Sequence, residues 1–277
     1  MTTDLNGETF QLVVSGNEET KLGTGTSSRM SSRTLFYYAE RTAEGNIFLQ
    51  LLNSKYYPSG KKIDVTLEEL LESYRPEPLF YFNKVVPVVA DVNANLEKGE
   101  KNLEEDRADL AAKSFKRALE VDDKNIRGLF GLGMAYMAAG KIEESEEILG
   151  RLMHLEMAFS QEHTHLFNQF GIRMRKAGML RQALDYYGKA ISLNGQDEHL
   201  LFNLGRIHLE MNELEAALAC VTKALLLNAE FLEGKKMLEY LLRLKPDIAD
   251  HFSAPLEPQA PPKTEGLDLD GLPWANS

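Results

Sequence analysis

Four glycines, Gly99, Gly133, Gly171 and Gly205, recur at intervals of 34, 38 and 34 residues, and the chain between them keeps one register. A unit of about 34 residues is one helix pair, too small to bury its own apolar face, so it must stack on copies of itself. A second landmark fixes the register. Twelve positions after each glycine stands a small residue and four further on a larger apolar one: Ala111 and Phe115, Ser145 and Leu149, Ala183 and Tyr187, Ala217 and Val221. Three residues later come Ala118, Leu152, Ala190 and Ala224. Residues at i, i+4 and i+7 share one helix face, small where two backbones approach and large where a gap must be filled.

In this register the residues resemble the tetratricopeptide repeats. Residues 126–159 carry Leu129, Leu132-Gly133, Tyr136, Gly140 and Leu155 in the family's pattern, with Ser145 and Leu152 in place of its two alanines. Residues 164–197 carry Phe167, Phe170-Gly171, Gly178, Ala183, Tyr187 and Ala190; residues 198–231 carry Leu201, Leu204-Gly205, Ala217 and Ala224, with His208 replacing the tyrosine and Asn212 at the turn. The first unit, 92–125, departs from the pattern in its first helix, where Asn95, Lys98 and Asn102 stand at apolar places. The resemblance implies a mainly α fold: an α-α superhelix, or solenoid, of about four helix-turn-helix repeats over residues 76–246, closed by a capping helix at 232–245.

The remaining segments are read from local signals. Residues 1–33, rich in Gly, Ser and Thr, are expected to be a flexible tail with a short strand at Thr9 to Val14. Its GTGTSS string lacks the spacing of a phosphate loop. TLFYYAER and NIFLQLLN, joined by TAEG, predict a β-hairpin, and Thr66 with Glu69 predicts a capped helix, so 34–75 forms a small hairpin-plus-helix module that caps the repeats. Pro87 is expected to kink or delay the helix that follows. Residues 247–277 form an acidic, proline-containing tail in which Leu267, Leu269, Leu272 and Trp274 have the look of a linear docking motif.

A net charge of −11 argues against nonspecific binding to nucleic acid or anionic membranes. A lone cysteine, Cys220, allows no intrachain disulfide, and the start of the chain shows no basic segment followed by an apolar run, so a cytoplasmic location is expected. The histidines form neither HExxH nor a Cys/His ligand pattern, and no serine elbow or dinucleotide fingerprint is present, so we expect no catalytic residues, cofactor or metal.

In the family the first helices of the stacked repeats line the inside of the curve. Projected onto this chain, that strip holds Arg127, Phe130 and Met134, then His165, Asn168, Gln169, Arg175 and Lys176, then His199, Phe202, Asn203 and Arg206, with Glu210 its one acid. Guanidinium forks grip carboxylates, amides pair with an extended backbone, and Phe130, Met134 and Phe202 would supply apolar anchors. The expectation is a noncatalytic scaffold or adaptor holding an acidic peptide segment of a protein partner. The alternatives are a self-assembling structural protein that makes a homodimer through its solenoid ends or hairpin edge, and a regulatory subunit of an enzyme.

Overall fold

The computed structural model describes residues 9–22, 29–194 and 197–244. The chain divides into two compact units, Met1–Ala139 and Gly140–Ser277.

The first unit begins with an antiparallel sheet of β1 (Phe10–Leu22), β2 (Arg29–Arg41), β3 (Ile47–Leu51), β4 (Ile63–Val65) and β5 (Arg75–Pro76), in the order β4-β3-β2-β1-β5. The expected hairpin is β2–β3, its turn closed by Thr42 N–H donating to Asn46 O at 2.9 Å and Gly45 at φ +91°. Within the tail expected to be flexible over 1–33, the described residues 10–22 and 29–33 are strand instead, because β1 pairs with β2 from Phe10↔Arg41 to Leu22↔Arg29. The reason is physical: only the apolar start of β1 is built into a core, with Val14 packed among Ala39, Ile47, Leu49 and Leu70. Its polar half is held by the hydrogen-bond ladder and by cross-strand pairs such as Thr34 Oγ1 donating to Asn17 Oδ1 at 2.9 Å, interactions that leave no apolar periodicity to read.

Helix α1 (Leu67–Ser73) starts at the expected capping box, where Thr66 and Glu69 bond each other's backbone N–H. These hydrogen bonds hold the Glu69 carboxyl below its ordinary pKa. After the single turn α2 (Pro78–Phe80), a π-helical turn over Tyr81–Val85 leads into α3 (Val86–Glu104). Pro87 has no N–H to give, and the widened turn, closed by Val86 N–H donating to Tyr81 O, lets the chain pass without a break. Helices α4 (Ala108–Val121) and α5 (Ile126–Ala138) complete the unit.

The sheet is fastened to this helical part. Asn53 Nδ2 donates to Val121 O at 2.9 Å, Lys55 Nζ donates to Glu120 O, and Ser59 Oγ donates to Asp122 Oδ1 at 2.7 Å. The loop thereby satisfies carbonyls that the last turn of α4 leaves open. Phe36 of β2 stacks on Phe80 with centroids 4.6 Å apart.

The second unit contains α6 (Ile142–Met153), 3₁₀ turns at Glu156–Phe159 and Gln161–His163, α7 (Thr164–Lys176), α8 (Leu180–Asn194), α9 (Glu198–Glu210), α10 (Leu214–Leu227) and α11 (Leu232–Leu244). The 3₁₀ turn that ends the second repeat supplies core. Phe159 is buried against Phe167 and Tyr186, and Tyr186 donates its hydroxyl to Phe167 O at 3.2 Å. Each turn from the first to the second helix of a repeat holds one left-handed residue: Asp106, Gly140, Gly178 and Asn212. Their spacing repeats the 34, 38, 34 of the helix glycines, as the αL termination of a helix requires.

Candidate functional site

The expected strip separates into residues that are available and residues that are not. On α5, Phe130 is fully buried and Met134 is 5% exposed, so neither serves as a surface anchor; both were projected outward from helix counting and belong to the core. Arg127 is committed as well. Its Nε and Nη2 donate to the two carboxylate oxygens of Glu100, each at 2.5 Å, and these bonds raise its pKa. Glu100 lies in the first repeat, whose first helix departs from the family pattern.

The residues of α7 and α9 stand differently. Arg175 donates to Glu210 Oε1, joining the end of α7 to the end of α9. Asn168 and Asn203 lie seven residues before Arg175 and Glu210 respectively, two turns back along the same helix faces. Both asparagines are half-buried, and Asn168 Oδ1 is a buried oxygen with no hydrogen-bond partner. His165, Gln169, Lys176 and His199 are exposed.

Arg206 has its guanidinium carbon 5.8 Å from the Phe202 ring centroid, and among the described residues no carboxylate lies within ion-pair distance of it. Burial, then the like charge of Arg175, lowers its pKa from the ordinary guanidinium value. It stays protonated, yet its charged form is under-compensated, the condition in which an incoming anion is most favourable. Phe202 and His199 are both braced edge-on by the buried Phe231, with centroids 5.2 and 5.1 Å away. Nearby, burial pushes the phenol of Tyr187 well up, against the lowering effect of Arg175 and Arg206.

The linear motif Leu267, Leu269, Leu272 and Trp274 lies outside the described residues. Among the described residues, no group of three or more His, Cys, Asp or Glu is placed to hold a metal, and no helix is long and apolar enough to cross a membrane.

The family profile described as tetratricopeptide repeat matches residues 102–157 and 174–247. The chain carries tetratricopeptide repeats. Tetratricopeptide repeats are interaction modules, which makes a protein-binding scaffold the general reading of this region. Among curated proteins, the chain is 26% identical over 115 residues to the probable UDP-N-acetylglucosamine–peptide N-acetylglucosaminyltransferase SPINDLY of Hordeum vulgare. That match takes in 40% of this chain and 12% of the barley protein. Among solved structures, PilF of Pseudomonas aeruginosa is similar at 16% identity and a TM-score of 0.46, covering 59% of this chain and 72% of that one. MamA of Desulfovibrio magneticus is similar at 17% identity and a TM-score of 0.44, covering 58% and 91%.

Proposed function

We propose that this protein is a noncatalytic, cytoplasmic adaptor whose α7–α9 face holds an acidic peptide segment of a protein partner. The observation that carries the proposal is Arg206, a partly buried guanidinium with no carboxylate at ion-pair distance among the described residues, beside a second arginine already paired to Glu210. A carboxylate of the ligand pairs with Arg206, Phe202 offers its ring next to it, and the amides of Asn168 and Asn203 take up the peptide backbone. Lys176 extends the positive charge towards solvent. The repeats contribute position and charge rather than chemistry, and nucleic acid and membranes are not the ligands of this face.

The test is fluorescence anisotropy of labelled nonapeptides, one acidic and one basic, titrated with the full chain and with an Arg175→Glu, Arg206→Glu variant. Binding of the acidic peptide that is lost in the variant supports the reading. Equal binding of both peptides, or binding indifferent to the two arginines, rejects it.

A further inference from the structure

The α3–α4 pair carries a second cationic surface, separate from the α7–α9 face. Lys98 and Lys101 on α3, Arg107 at the start of α4, and Lys113 and Arg117 along α4 line one groove of about 490 Å³. No carboxylate lines it. Arg107 is paired at the rim with Glu105; among the described residues the other four cations have no carboxylate within ion-pair distance. In a chain of net charge −11 such a concentration runs against the average.

The register of the repeats shows what kind of surface this is. Asn95, Lys98 and Asn102 occupy the places of Leu129, Leu132 and Tyr136 one repeat later, all buried, and of Phe167, Phe170 and Met174 in the repeat after that, also buried. Those places pack helix against helix. In the first repeat these places hold two asparagines and Lys98, and the groove beside them sets its cations over a floor of buried Asn102 and Ser114, with Leu110 left 51% exposed. The sheet does not supply what that face lost, since its loop is bonded to the last turn of α4 and Phe36 to Phe80. Lys98 with Lys101, and Lys113 with Arg117, are each one turn apart, matching carboxylates spaced i, i+3 or i, i+4 on a facing helix.

We infer that this groove receives an acidic amphipathic helix of a partner protein, its carboxylates on the lysines and arginines and one apolar residue on Leu110. Charge complementarity selects an acidic occupant, and the helix-packing register of the face selects a helix over an extended peptide. Being exposed, the ion pairs weaken with salt.

The probe is a fluorescein-labelled 15-residue helical peptide of Glu, Ala and Leu, beside the same peptide with Gln for Glu. Against the full chain, the Glu peptide is expected to bind about tenfold more tightly than the Gln peptide. Lys101→Glu with Lys113→Glu is expected to lose the binding, Lys101→Gln with Lys113→Gln to weaken it less, and Leu110→Gln to weaken it several-fold, each with an unchanged circular dichroism spectrum. Wild-type binding by the Lys101→Glu, Lys113→Glu variant overturns the inference. So does loss only in Arg175→Glu, Arg206→Glu, which would assign acidic binding to the α7–α9 face alone. Tighter binding of a 20-nucleotide RNA or of phosphatidylserine vesicles, lost in the same lysine variant, also overturns it in favour of a phosphate-binding surface.

Discussion

Tyr187 fills the space that any side chain at Gly171 would need, with its Cε2 2.6 Å from where a Cβ would stand. Phe115 stands in the same relation to Gly99, at 2.7 Å, sixteen residues earlier in its own repeat. Val221 approaches Gly205 less closely, at 3.2 Å. At these three positions the glycine period is a packing period: each glycine admits the large residue of the second helix.

Gly171→Ala forces the ring of a buried tyrosine to move and is expected to destabilise the second unit by about 1–3 kcal/mol. Gly205→Ala meets a smaller conflict, largely offset by about 0.5–1 kcal/mol of helix propensity. Urea unfolding of the two variants checks the order; equal losses would contradict it.

Asn53 is a hub, donating to Val121 O and accepting from the N–H groups of Lys55 and Tyr57 at 2.9 and 3.1 Å. Asn53→Ala should cost about 1–3 kcal/mol and should speed hydrogen exchange in the 53–59 loop and at the C-terminal end of α4. Faster exchange in the loop alone would show that the sheet is held mainly by the Phe36–Phe80 stack.

Burial pushes the Cys220 thiol up to about 11 from an ordinary 9.0, with Lys223 opposing. The raised value means less thiolate at every pH below it. Iodoacetamide at pH 8 should therefore alkylate Cys220 about a hundredfold more slowly in the folded protein than in urea. Comparable rates would contradict the burial.

Arg127 is bonded to Glu100, so Arg127→Gln should leave binding of an acidic peptide within about twofold of wild type, and stability within about 1 kcal/mol, because the pair is partly exposed. A loss like that of Arg206→Glu would return Arg127 to the site.

The repeat architecture was legible because it is periodic: Gly99, Ala111 and Phe115 recur as Gly171, Ala183 and Tyr187, and packing between helices demands the same sizes each time. What escaped was aperiodic. Strand β1 is polar beyond Val14 and is held by pairing with β2, a contact that one strand's residues do not announce. For the site, counting along helices could not tell that Phe130 and Met134 are covered, since burial depends on what packs over a helix. Glu100 was missed because ion-pair partners 27 residues apart follow from three-dimensional proximity. Of the cations of the first repeat only Lys98 marks itself in the sequence, as a departure from the pattern, and their shared groove emerges when α3 and α4 are placed side by side.

The most direct measurement is a pull-down from native lysate with the intact chain beside the Arg175→Glu, Arg206→Glu variant, both confirmed as folded by circular dichroism. The account predicts a partner with an acidic segment that is retained by the intact chain and lost by the variant. Capture of the same partner by both proteins would contradict the assignment of the α7–α9 face as the working site.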